Sequence, residues 1–382
     1  MKRLLCIILF YFLPMFLLAQ QSVKDSLITN YLQKIASIQA TAGNKFPMGI
    51  IPSFRQYALN NVEVKADDNI FFSALVVYTL QSYKHALNDE QKLLVDSITE
   101  RVKRAAHFYK NAKGRNTYCF WRTNPTVVFP NSGWINLFDK VNALPDDFDD
   151  TVMMLLALQT DSSSAAIVHS IMQEFTNGSK KNIQNTFDEY KNIPAYSTWF
   201  GVKFPIDFDI SVLSNVLLFV QKNNLQWTKA DSACLQLITQ IVQKKQHVTH
   251  PQYVSPHYAK TSIILYHISR LMEVKPIQAL EQLKPQLIEE AILLFQKSDN
   301  IIEKTLLSTA LIRWKKSAST LIVIKNDVEI PSNNFSFFIA NMASMAANPY
   351  KEMIGKMGVG KFYYYCAAYN YALVIENLLL HQ

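Results

Sequence analysis

The chain has 382 residues, 38 of them Lys or Arg against 30 Asp or Glu, giving a formal net charge of +8, and 49% are hydrophobic. That length and apolar share suffice for one sizeable core, and without a Pro- or Ser-rich linker the sequence reads as one large domain. Its basic residues are spread along helix faces and not gathered into a stripe, so no nucleic-acid partner is expected. A Gly-rich phosphate loop, a Gly-x-Ser-x-Gly elbow, a His-Glu-x-x-His pair and an EF-hand loop are all missing, which disfavours nucleotide chemistry and zinc proteolysis; no cofactor is called for.

Residues 1–19 read as an export signal. Lys2 and Arg3 precede an apolar run from Leu4 to Leu18, and Ala19 offers a cleavage site before Gln20. The run is short and broken by Pro14, and no later segment reaches about eighteen uninterrupted apolar residues. An exported protein, periplasmic or secreted, is therefore expected, with no transmembrane segment after signal removal and a single domain over 20–382. Cys119, Cys234 and Cys366 remain in that domain without metal-ligand or redox spacing, and read as buried thiols, one disulfide being the alternative.

Only nine glycines interrupt the chain, and its long segments repeat apolar residues at three- and four-residue spacing, the period of a helix. Helices are predicted at 22–42, 69–86, 89–112, 150–160, 163–176, 209–222, 228–246, 258–274, 277–297, 301–317, 335–347 and 362–380. Strand-like alternation is confined to 319–328. Taken in order the helices make six pairs, and the second member of each pair is usually the more apolar. A helix apolar nearly all round must be enclosed by others, so the second members are predicted to form an inner ring and the first members an outer one. Links leading into the inner helices are often long (113–148, 177–208, 247–257, 348–361), which gathers the long loops at the end where the inner helices start. The expected fold class is all-α, an (α/α)6 barrel of six helix pairs.

That mouth collects the chemistry. Asp146-Asp147-Phe148-Asp149-Asp150 precedes one inner helix and Asp207-Phe208-Asp209 the next, with Asp67-Asp68 as an earlier echo. An Asp at a helix start caps free amides and suits the helix dipole, but four carboxylates in five residues exceed what a cap needs and must raise at least one pKa. The loops before these clusters carry Trp121 with Arg122, Trp134 and Trp199. Such aromatics stack on sugars or stabilise a carbocation, or equally plug the barrel mouth. Arg122 is placed as an electrostatic partner of the first cluster. His257 and Tyr258 open the fourth inner helix as a base and acid pair. The candidate catalytic residues are thus Asp147, Asp149, Asp150, Asp209, His257 and Tyr258, and the candidate ligand-binding residues Trp121, Arg122, Trp134, Trp199 and Asp207; no metal-ligand set is assigned.

Six helix pairs with acidic starts on the inner helices resemble the α/α-toroid superfamily of terpenoid cyclases and protein prenyltransferases. Asp147-Phe148-Asp149-Asp150-Thr151 is similar to the DxDDT acid motif of its class II cyclases. The resemblance implies that Asp149 protonates an alkene or epoxide while Asp147 and Asp150 orient it. The same acidic run fits the DDxxD pattern that binds magnesium diphosphate in class I terpene synthases. Beside the cyclase expectation stand a glycan-cleaving hydrolase or lyase with paired carboxyls and a binding or scaffold module without chemistry. The expected ligand is accordingly a small molecule, a glycan or an isoprenoid. A deep aromatic lining below the acids favours the isoprenoid, a polar open one the sugar.

Overall fold

The computed structural model describes residues 23–41, 45–131, 144–316, 323–324, 329–331 and 333–381. Residues 1–19, which read as an export signal in the sequence, Trp134 and most of the alternating segment 319–328 lie outside them. In chain order the elements are α1 (23–38), β1 (Ser53–Tyr57), β2 (Asn60–Asp67), α2 (Phe71–Ser82), α3 (Asp89–Ala105), α4 (Phe148–Ala157), α5 (Ser162–Met172), α6 (Ile210–Lys222), α7 (Lys229–Gln243) and α8 (Thr261–Val274). They continue with α9 (Gln278–Lys297), α10 (Ile301–Arg313), β3 (Phe338–Asn341), α11 (Tyr350–Met357), β4 (Lys361–Tyr365) and α12 (Ala367–Leu380). The protein is mostly helical, with a small antiparallel sheet.

Helix starts follow local chemistry. Asn88 and Gln91 form a reciprocal capping box at α3, Thr228 and Asp231 another at α7, and Asn300 caps α10 through two backbone amides. Helices α2, α4, α6, α8 and α12 bury nearly every side chain and α10 most of its own, as their apolar sequences require. Their contacts run in cyclic order: α2 packs on α4, α4 on α6, α6 on α8, α8 on α10, α10 on α12, and α12 returns to α2. The amphipathic helices lie outside them, α3 against α2, α7 against α6, and α9 against both α8 and α10. No helix among the described residues is long and apolar enough to cross a membrane.

The expectation of an all-helical chain needs correction. Each predicted helix has a counterpart except 335–347, which forms β3 and a 3-10 turn over Met342–Met345, and the predicted 362–380 helix starts only at Ala367 because its tyrosines belong to β4. Where the sequence led to a sixth outer helix, the chain instead forms β3 and that turn, followed by the short α11. Strands β1 and β2 form a hairpin, and the sheet order is β2-β1-β4-β3, antiparallel throughout. Phe362-Tyr363-Tyr364-Tyr365 suits a pleated, half-buried surface, and Gly358 and Gly360, both at positive φ, end α11 and turn the chain into β4. The sheet thus occupies the links that lead into α2 and α12, at the ends where those helices begin.

Candidate active site

The acidic run before α4 is pinned between two aromatic loops. Asp147 N–H donates to the Tyr118 carbonyl (3.2 Å), Phe148 N–H to that of Thr198 (2.9 Å), and Phe200 N–H to that of Asp146 (3.0 Å). With the backbone fixed, each carboxyl takes a different role. Asp146 accepts a forked pair from Arg115 (2.7 and 2.8 Å) together with the Thr117 hydroxyl. Asp147 caps α4 by accepting from Asp150 N–H at 2.7 Å, while Asp150 Oδ1 finds no hydrogen-bond partner among the described residues. Asp149 receives the Asn215 amide on Oδ1 at 2.7 Å and the Tyr258 hydroxyl on Oδ2. No group of three or more His, Cys, Asp or Glu side chains among the described residues is arranged to hold a metal ion.

All three inner carboxyls are buried, which disfavours charge. Burial outweighs the donated hydrogen bonds and lifts Asp149 to about 7 and Asp147 to about 6. Asp150 is pushed well above the usual carboxylate range by burial and by the neighbouring Asp147 charge.

This arrangement makes stability depend on pH with a definite sign. Unfolded Asp titrates near 3.9, so between about pH 4 and 7 the folded chain binds more protons than the unfolded one, and stability falls as pH rises. The contribution is fully present below about pH 4 and is lost as pH passes through about 6 and 7. For Asp149 alone, a rise from 3.8 to about 7 corresponds to about 4 kcal/mol. The melting temperature of the wild type should fall from pH 5 to pH 8 and fall less steeply in Asp149→Asn; equal slopes in calorimetry would contradict the assignment.

Asp147, Asp149 and Asp150 open onto a cavity of about 380 Å³ whose walls are mainly aromatic. Phe71 at the start of α2, Phe120 and Trp121 from one loop, Trp199 from the other, and Phe338 and Tyr364 from the sheet all face it. Phe120 and Phe338 lie 5.4 Å apart, and each packs on Tyr364 at 5.5 Å. No family model matches this chain, and none of the curated proteins or solved structures matches it either.

The structure brings together Asp147, Asp149, Asp150, His257, Trp121 and Trp199 around this one cavity, with Tyr258 directly behind Asp149. Three other candidates sit outside its lining. Arg122 pairs with Asp68 (Nε to Oδ2, 2.7 Å) and not with the acidic cluster, whose guanidinium partner is Arg115. Asp209 is used up as a cap, accepting from Ser211 and Val212 N–H, the Ser255 hydroxyl and His257 N–H. Asp207 is enclosed beneath the loop, accepting from Asn185 and Ser344 with Lys351 at 3.7 Å; burial opposes its charge, but Lys351 and its hydrogen bonds hold it below the usual range. Burial likewise disfavours imidazolium at His257, yet the Asp207 and Asp209 carboxylates outweigh it and raise its pKa. Cys119, Cys234 and Cys366 are buried free thiols.

Sequence reasoning missed Asn215 and Arg270. Both are buried polar groups on helices that are otherwise largely apolar, and a polar group inside such a helix was the available signal. Arg270 Nη2 donates to Asn215 Oδ1 at 2.6 Å, so the two lie in line behind Asp149.

Proposed function

We propose that the chain is an exported α/α-toroid protein that carries out proton-initiated cyclisation of an apolar, polyprenyl-type substrate, with Asp149 as the acid. The observation that carries the proposal is a buried carboxyl, protonated up to about pH 7, that faces an aromatic cavity. The cyclic contact order of six buried helices supports the toroid, the sheet standing where the sixth outer helix was expected. The leader at 1–19 supports export.

In this reading the Asp149 O–H bond breaks as a C–H bond forms at a terminal alkene carbon. The cation on the adjacent carbon takes the electrons of the next alkene, forming a C–C bond, and the last cation loses a proton to water or to the carboxylate. Substrate and product are isomers, and the acid is regenerated. The ring faces of Phe120, Phe338 and Tyr364 stabilise the cation, and the Asp147 and Asp150 carboxyls line the same cavity. Outside its acidic corner the lining is largely apolar and rich in Phe, Trp and Tyr rings, so the isoprenoid reading is preferred to glycan cleavage.

The test is incubation of residues 20–382 in deuterated water with polyprenyl hydrocarbons, alcohols and diphosphates of graded length. A cyclic product that carries one deuteron by mass spectrometry is expected. Unchanged substrate across the series would reject the proposal.

A further inference from the structure

We infer that Arg270 is a positioning residue: acting through Asn215, it assigns the proton of Asp149 to Oδ2, the oxygen shared with Tyr258. The inference deepens the acid role proposed above, but its geometry concerns the ligand-free protein. An asparagine amide has a donor end and an acceptor end of nearly equal shape. At Asn215 the choice between them is made by Arg270, because a guanidinium has donors only. The Asn215 oxygen must face Arg270, at 2.6 Å, and its nitrogen must then face Asp149 Oδ1, at 2.7 Å. A carboxyl oxygen that accepts an N–H at this distance is the carbonyl oxygen of the acid form. The proton therefore sits on Oδ2.

Tyr258 completes the assignment. Its hydroxyl is the described partner of Oδ2 and can both donate and accept. It donates to Oδ2, which leaves the proton on that oxygen free to point into the cavity, and the same bond holds the carboxylate after transfer. Tyr258 is itself fully enclosed and does not line the cavity, so Asp149 is the group that meets a ligand.

Arg270 has no other polar task that accounts for its burial. It is 2% exposed and sits between the rings of Tyr78 and Tyr266, at 5.3 and 5.2 Å. Its Nε and Nη1 find no hydrogen-bond partner among the described residues, and no carboxylate there pairs with it. Enclosing an unpaired guanidinium is costly, and the bond to Asn215 is its one directed polar contact. The groups around it are Tyr78 from α2, Tyr266 from α8, Arg313 from α10 and Tyr369 from α12; around Asp149 they are Asp147 and Asp150 from the start of α4, Asp209 from the start of α6, and Tyr258. The positive charge behind Asn215 polarises its amide toward Oδ1 and makes Asp149 a stronger acid than burial alone would allow. Without Arg270 the amide is free to turn its oxygen toward Asp149 and draw the proton to Oδ1.

The test is a pH titration of the carboxylic C=O stretch by infrared difference spectroscopy on residues 20–382 without ligand, with Asp149→Asn identifying the Asp149 band. Arg270→Met is expected to weaken the acidity of Asp149 by about tenfold or more, one pH unit in the midpoint, and to shift the band as Oδ1 loses its fixed donor. Arg270→Lys, which still donates to Asn215, is expected to restore both. Should Arg270→Met fail to fold, Arg270→Gln provides a neutral side chain of similar reach, with a midpoint shift in the same direction expected. An unchanged midpoint and band in the neutral variant, or a Lys variant as altered as the neutral one, would overturn the inference. Because the readout needs no turnover, a chain inactive on polyprenyl substrates rejects the proposed function and leaves this measurement intact.

Discussion

Asp149→Asn is expected to abolish cyclisation while making the protein more stable at pH 8. The two effects share one cause. Above pH 7 the wild type holds a charge at position 149 in a place where burial opposes it, and an amide of the same shape removes that opposition. The gain at pH 8 should approach about 4 kcal/mol, following the rise in pKa, and should vanish below pH 4, where both states are protonated. Loss of the proton donor should lower turnover by about 10²–10⁴-fold. A carboxylate that served only as a helix cap predicts neither outcome, and the cap of α4 is in fact Asp147. Parallel urea denaturation at pH 5 and pH 8 with product analysis decides it: a variant less stable than wild type at pH 8 contradicts the assignment.

Arg55→Met should destabilise the fold by about 3–5 kcal/mol, because it strands a carboxylate in the interior. Arg55 and Asp67 are 2% and 0% exposed and bond at 2.5 Å. Asp67 also gathers Trp121 Nε1 (3.0 Å), Asn69 Nδ2 (2.9 Å) and the Tyr364 hydroxyl (3.3 Å), so the pair fixes two walls of the cavity to the β1–β2 hairpin. The double variant Arg55→Met/Asp67→Asn removes the stranded charge yet keeps an acceptor for Trp121. It should recover more than half of the loss. A double variant no more stable than Arg55→Met would show that shape, and not charge, sets the cost.

The helices were legible because the buried ones keep long apolar runs with few polar interruptions, and the acid cluster because four carboxylates before an apolar run need an explanation. The sheet was not legible, and β1 shows why. In Ser53-Phe54-Arg55 the buried residues are Ser53 and Arg55, while Phe54 is 41% exposed, the inverse of the pattern by which hydrophobic periodicity reveals a strand. Phe335 to Ile339 failed differently, as a short apolar run that periodicity cannot divide between helix and strand. Arg122 was assigned to the nearer cluster in sequence, but the loop carries it to Asp68, more than fifty residues upstream. Such a partner depends on how the loops cross the mouth, which no local pattern encodes. Arg270 was the readable omission, since a charge inside an enclosed helix demands a purpose.

The closing of α12 onto α2 and of β4 onto β1 joins segments about three hundred residues apart. Contacts of that span form late, since loop-closure entropy must be met before they return any stability. Phe338 and Tyr364 belong to that closing segment and form part of the cavity wall. A growing chain would therefore complete α4 and its acids long before they are enclosed. Until the final segment docks, the Phe338 and Tyr364 wall is missing and the cavity beside Asp149 stays open. The enclosed acid site is a property that the chain acquires last, with the closure of the fold.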